Sequence, residues 1–274
     1  MTDLPSALYL PTARDVMLPT ALTAGPWRAD HQHGGPPSAL LGYLTEQVVD
    51  DGEVVARVSV ELLRGVPISP LRTTVTRTST SRRVHHTVAE LWSGDTLVAR
   101  SRALLLTGGA LPEPQWTPLA ETVLVPPPSA TAAAPSWSSG DGLRYHTHGT
   151  EHRFTDGGFE PPGPAHDWVR LVRPVVDGIE PSGLQRALAA ADFGSGVSSV
   201  YGREASFGMI NADLVVAMYR QPEGEWISLE TVTHLGPDGT GQGIAQLGDR
   251  GGRFGVSTQS LLGTGALPPG SVAS

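Results

Sequence analysis

Apolar and polar positions alternate with two different periods along this chain. Between Ser38 and Val49 the residues Leu40, Leu41, Leu44 and Val48 recur at helical spacing. Four runs rich in Val, Thr and Leu follow, at Val54–Leu63, Leu71–Thr78, Val84–Trp92 and Thr96–Thr107, and "SGD" marks a turn between the last two. One helix and four strands are therefore predicted for the first half. The second half predicts the same series: an Ala/Leu-rich helix over Ser182–Asp192, then strands at Ile210–Tyr219, Trp226–His234, Gly241–Leu247 and Phe254–Leu262.

The halves also match residue by residue. Arg64 corresponds to Arg220, Ala89 to Ala245, Leu91 to Leu247 and Ser101 to Ser257. "LLTGGALP" (105–112) corresponds to "LLGTGALP" (261–268), and every pair is 156 positions apart. A register held over four strands points to duplication. It fails at the helices, because the second half carries extra residues, Phe193–Met209, between helix and strand.

Glu113–Gly149, with "VPPPSATAAAPSWSSGDG", has no periodicity and reads as a connector crossing the surface. The expected divisions are a first unit over 1–112, the connector over 113–149 and a second unit over 150–274. One helix with an antiparallel sheet, twice, is the layout of a double hotdog, an α+β fold in which each sheet wraps its helix. The first helix suits that environment, since Ser38–Leu44 has no charged residue. Joining two units into one sheet covers the edge that each would expose alone.

Composition narrows the function. The 274 residues carry a net charge of −8, which argues against nucleic acid or an anionic membrane surface as partner. With no cysteine, thiolate and disulfide chemistry are excluded. The opening "MTDLPSALYL" lacks the basic start and apolar core of a signal peptide, and no apolar run approaches a membrane span, so a cytoplasmic protein is expected. The 33 glycines and 24 prolines suit a strand-rich chain with many turns.

Several short motifs invite chemistry. In "HQHGGPPSALLGYLTEQ" (31–47), His31 and His33 are spaced for a strand metal site, but no further ligand follows at a recognised spacing. Gly34 and Gly35 stand immediately before the helix, where backbone N–H groups could polarise a carbonyl; a tight turn packed on the sheet explains them equally well. "HRFTDGG" (152–158) contains the H-x-x-x-D-G of an acyltransferase class that needs a larger scaffold, and chance explains it better. "DGTGQG" (238–243) reads as a hairpin turn rather than a phosphate loop. No G-x-S-x-G elbow occurs. Asp192 ends the second helix, where a carboxylate enclosed by sheet must be paired or perform chemistry. Asn211 and Gln259 are polar residues inside strands, and their counterparts in the first half are Val55 and Ala103.

"HGGPPSALL", "LRGVPISPLRTTVTRTSTSRRVHHTVAEL", "DWVRLVRP", "AADFGSG", "INADLVVAMYR" and "TQSLLG" together resemble the acyl-CoA thioesterase II-like double-hotdog family, particularly its actinobacterial members. The resemblance spans most of residues 25–110 and 150–265. In that family an Asp, a Ser or Thr, and a Gln hold the hydrolytic water. By motif these are Asp192, Asn211 and Gln259, and Asn211 departs from the family's hydroxyl, though an amide still donates and accepts.

The resemblance implies hydrolysis of an acyl thioester, on CoA or an acyl-carrier protein, with Asp192 as general base and Asn211 and Gln259 orienting water and carbonyl. Gly34, Gly35 and His33 would face the substrate. No metal or redox cofactor is implied, and further association into a homo-oligomer is expected. The rival readings are a hotdog dehydratase or hydratase, a carrier-protein-dependent biosynthetic enzyme, and a non-catalytic acyl-binding protein. A hydratase would want a histidine near the helix carboxylate, and none lies within the second-half helix or the strand after it.

Overall fold

The computed structural model describes residues 4–26, 28, 30–79, 81–112, 127, 129, 131–135, 142–202 and 208–264. The strands are β1 (Tyr9–Ala13), β2 (Val16–Pro19), β3 (Glu53–Leu62), β4 (Leu71–Ser79), β5 (Val84–Ser93), β6 (Thr96–Thr107), β7 (Thr150–Asp156), β8 (Ala165–Leu171), β9 (Gly208–Asn211), β10 (Asp213–Met218), β11 (Trp226–Leu235), β12 (Thr240–Asp249) and β13 (Gly252–Thr264). The helices are α1 (Gly35–Glu46), α2 (Gly183–Ala191) and the single turn α3 (Gly194–Val197).

All strands join one antiparallel sheet in the order β1-β2-β4-β5-β6-β3-β10-β13-β12-β11-β8-β7, with β9 added to β13. Read from its two ends, the order gives equivalent strands in both halves, the signature of a twofold between β3 and β10. There Val60 faces Leu214 and Val58 faces Val216, all four buried. The offset of 156 holds in space: β5 starts at 84 and β12 at 240, β6 at 96 and β13 at 252. The fold is a double hotdog.

The two helices pack on each other inside the sheet. Ten of the twelve α1 residues are buried, which explains the lack of charge. Gly42 permits the close approach: a Cβ there would lie 2.6 Å from Leu188 Cδ1 of α2. The buried hydroxyls of Ser38 and Thr45 donate one turn back to the Gly34 and Leu41 carbonyls, so neither is orphaned. α1 begins three residues before the predicted Ser38, because Pro36 and Pro37 fit a first helical turn. α2 is capped by Ser182, whose hydroxyl accepts from the Gln185 N–H.

The predicted strand Ile210–Tyr219 is two strands. β9 pairs with β13 alone, whereas β10 pairs with both β13 and β3. The break falls at Ala212, and Asp213 Oδ1 accepts the Ser260 N–H at 2.6 Å beside it. β1, β2, β7 and β8 were absent from the sequence-derived strands. "HRFTDGG" is the end of β7, and "DGTGQG" begins in the β11–β12 turn, with Gly239 at φ 78°. Of the connector, 113–126, 128, 130 and 136–141 lie outside the described residues. Ala132 donates to the His152 carbonyl of edge strand β7. Tyr145–Gly149 form a wide helical turn with Tyr145 and His146 buried. Among the described residues no helix is long and apolar enough to cross a membrane.

Candidate active site

Asp192 follows the last turn of α2, at a helix C-terminus whose partial charge is unfavourable to a carboxylate. Its side chain is 2% exposed. An ionised group so placed must be held by strong partners. Oδ1 accepts from Asn211 Nδ2 at 2.7 Å, and Oδ2 lies 2.7 Å from His33 Nδ1. The start of α1, a positive helix end, stands directly opposite. A Cβ on Gly34 would lie 2.6 Å and 2.8 Å from the two carboxylate oxygens, so only glycine leaves room there. The site is thus assembled from both halves, His33 and Gly34 from the first, Asp192 and Asn211 from the second.

His33 is fixed on all sides but one. Its N–H donates to the Thr23 carbonyl, and its ring lies between Tyr145 (centroids 5.1 Å apart) and Phe193 (4.7 Å). The Gly35 N–H also points at Nδ1, at 3.2 Å. One nitrogen cannot both accept from Gly35 and donate to Asp192. The hydrogen bond formed is the one Nδ1 accepts from Gly35, and Asp192 Oδ2 lies against the ring at ion-pair distance. His31 turns away to Asp30. Among the described residues no three His, Asp or Glu side chains gather as a metal site.

The structure gathers Asp192, Asn211, His33 and Gly34 around one carboxylate. Gln259 stands behind them. It is buried, its Nε2 donates to the Asp192 main-chain carbonyl at 3.1 Å, and its Oε1 accepts the Ser195 N–H at 2.8 Å. The amide therefore pins the backbone between α2 and α3 instead of reaching the carboxylate. Gly35 is packed rather than open, with Ala189 and Tyr145 where a Cβ would fall.

Residues 23–106 match the acyl-CoA thioesterase N-terminal domain, and residues 121–262 match the acyl-CoA thioesterase C-terminal domain. The chain belongs to the acyl-CoA thioesterase family. It is a thioester hydrolase. Among solved structures it is similar to a hot dog fold protein from Alicyclobacillus acidocaldarius (13% identity, 96% of this chain and 98% of that one, TM-score 0.68). It is likewise similar to acyl-CoA thioesterase II from Mycobacterium marinum (12%, 96% of each chain, 0.61). A TesB protein of Mycobacterium avium subsp. paratuberculosis gives 14%, 93% of this chain and 95% of that one, and 0.61. At these identities the likeness concerns the fold. A search of the curated proteins gives no match to the sequence.

In this thioesterase the Asp192 cluster opens on a cavity of about 1040 Å³, at the upper end of the range for small-molecule sites. Leu62 and Val66 from the first half and Val197, Val200, Met209 and Ile210 from the second give it apolar walls, and Arg64 is a cation on its rim. His146 also lines it. Burial, helped by the nearby His33, lowers the His146 imidazole to about 3, so it is neutral. Burial and the Asp192 charge push the Tyr145 phenol well above its ordinary value. Its hydroxyl stays a donor, to the Ala189 carbonyl of α2 at 3.0 Å.

Tyr145, His146 and Phe193 escaped sequence reasoning. Tyr145 and His146 sit at the end of a low-complexity stretch, and the one usable signal was an aromatic beside two histidines after it. Among the described residues, the first half does not repeat this cluster. Helix caps Gly34 and Ser182 are 148 positions apart, which aligns Asp192 with Leu44. Leu44, Val55 and Ala103, the counterparts of Asp192, Asn211 and Gln259, are all buried and apolar.

Proposed function

We propose that this thioesterase cleaves acyl-CoA at the Asp192 cluster, with the carboxylate supplying the negative charge that activates a water. The observation that carries the reading is a buried carboxylate, bonded from both halves, at the head of a large apolar cavity. Asn211 Nδ2 fixes the carboxylate, leaving its Oδ1 to accept from the water. The Gly34 N–H, at the positive end of α1, stabilises the thioester oxyanion. Gln259 holds the Asp192 backbone. The division into units over 1–112 and 150–274 gives each half one long helix, and the active site lies between them. Arg64 at the rim supplies a cation for a CoA phosphate. A cytoplasmic role in fatty-acyl turnover follows from that substrate. Exposed Val54 and Val256 on the central strands favour a homo-oligomer.

One observation favours a second reading. His33 beside Asp192 is the His–carboxylate arrangement a hydratase uses, brought by the fold from the other half. The test is free-thiol release from a panel of short, medium and long acyl-CoAs by wild type and Asp192→Asn. Thiol release lost in the variant supports the proposal. Loss of an enoyl-CoA's double bond without thiol release points to the hydratase.

A further inference from the structure

Hydrolysis consumes one water at the carboxylate in every turnover, and a long acyl chain keeps water out. With hydrocarbon in the main cavity, the open side of Asp192 is covered. A second, smaller cavity of about 50 Å³ lies across His146 and Phe159. These two side chains line both spaces, so the partition between them is one side chain thick. Besides burial, His33 in the site and His152 in the wall of the small cavity both act on the His146 imidazole.

The small cavity suits water. Its inner wall carries the buried Thr150 and His152. The His152 ring is fixed at both nitrogens, by Thr150 Oγ1 at 3.0 Å and Asp167 Oδ2 at 2.6 Å, and the Phe159 ring meets it edge-on with centroids 4.8 Å apart. Its outer wall is the connector, held on the terminal strand β7 of the sheet: Ala132 donates to the His152 carbonyl, and the Thr131 hydroxyl donates to Glu151 Oε1 at 2.8 Å. Against the pull of burial, hydrogen bonds from Arg170, Arg153 and Thr131 draw the Glu151 carboxyl down to about 2, so this wall is charged. A charged wall rejects hydrocarbon and favours water. Thr131, Ala133 and Ala134 are exposed, so the cavity reaches the surface at the connector. A bound water takes about 10–15 Å³ of such space, which leaves room for about three.

We infer that this chamber is a water-binding site that feeds the Asp192 cluster while an acyl chain fills the main cavity. The inference rests on the proposed thioester hydrolysis at that cluster. Water enters past Thr131 and Glu151 and is held against Thr150. It passes His146 when the ring of Phe159, which is only partly buried, turns. Short acyl groups leave room for water in the main cavity and do not need this route. The chamber therefore sets how well turnover holds up as the acyl chain lengthens.

The deciding variant fills the chamber with Ala132→Leu and Ala134→Leu together; both residues line it, and neither lines the main cavity. Thiol release is measured with acetyl-, octanoyl- and palmitoyl-CoA, beside the thermal midpoint. The expected result is a fall in kcat of at least about tenfold (~1.4 kcal/mol) with palmitoyl-CoA, against about twofold or less with acetyl-CoA, and little change in KM. A measurement independent of any variant is a crystal structure of wild type with the non-hydrolysable thioether analogue of palmitoyl-CoA. Ordered waters are expected there between Thr150 and Glu151. If the filled protein does not fold, this complex alone decides. Three results would overturn the inference: an equal loss with all three substrates, which marks a merely structural role, no loss with any of them, or a dry chamber in the complex. Each of these leaves the proposed function standing. If wild type releases no thiol from any acyl-CoA, the proposed function fails and takes the inference with it.

Discussion

Gly34 and Asp192 occupy one space: a side chain on the first would fall where the carboxylate of the second lies, 2.6 Å from Oδ1. The residues are 158 positions apart and belong to different halves, yet each fixes what the other can be. Gly34→Ala should therefore push the carboxylate off its partners while leaving the sheet intact. Displacement near 1 Å lowers turnover by about 10²-fold. Thiol release measured beside the thermal midpoint checks this, with a large loss of rate and a small change in midpoint expected.

Asn211 stands where the family places a hydroxyl. Asn211→Ala leaves one oxygen of a buried carboxylate without its donor, a loss of about 1–3 kcal/mol in stability. Asn211→Ser restores a shorter donor and should fall between alanine and wild type in both midpoint and kcat. Denaturant unfolding and thioester hydrolysis on the three proteins give the ordering; alanine matching wild type in both would remove Asn211 from the site.

Much of this architecture was readable beforehand, for a physical reason. Strands that pair with one another must keep their spacing, so β3–β6 and β10–β13 still match at one offset, and the buried α1 shows itself by lacking charge. The short strands β1 and β2 at one end of the sheet lack that constraint. β7 was hidden because its buried His152 breaks the apolar alternation, and its partner Asp167 lies on another strand. Asp192 and Asn211 were identifiable as polar residues in apolar surroundings. The contact between His33 and Asp192 was not, since no local pattern links a residue before α1 to one after α2; it exists only once the helices pack.

Gln259 separates structure from chemistry. Replacing it by Ala frees the Ser195 N–H and the Asp192 carbonyl inside the core, and a midpoint drop corresponding to about 1–3 kcal/mol is expected. Turnover should fall less than in Asp192→Asn, because the carboxylate keeps both side-chain partners. A Gln259→Ala protein of unchanged stability but abolished turnover would place the amide on the water after all.

Acid should act through His146. Its folded value near 3 lies below the ordinary 6.5, mainly because burial opposes the charged form. The unfolded chain therefore takes up the proton first. Stability from this group is complete above pH 6.5 and is lost as the pH falls from 6.5 toward 3. Urea unfolding across that window should show a shallower decline for His146→Gln than for wild type.

Leu44, Val55 and Ala103 fill the place of a second site with hydrocarbon. The stoichiometry that follows is one turnover centre per 28.8 kDa chain. Titration with a tight-binding thioester analogue should saturate at one equivalent, with no communication between twin centres to make the curve sigmoidal. A symmetric pair of identical subunits cannot alter one site without altering the other. Fusing the halves removed that restriction, leaving Asp192 and Asn211 on the second half and the histidine and glycine that face them on the first.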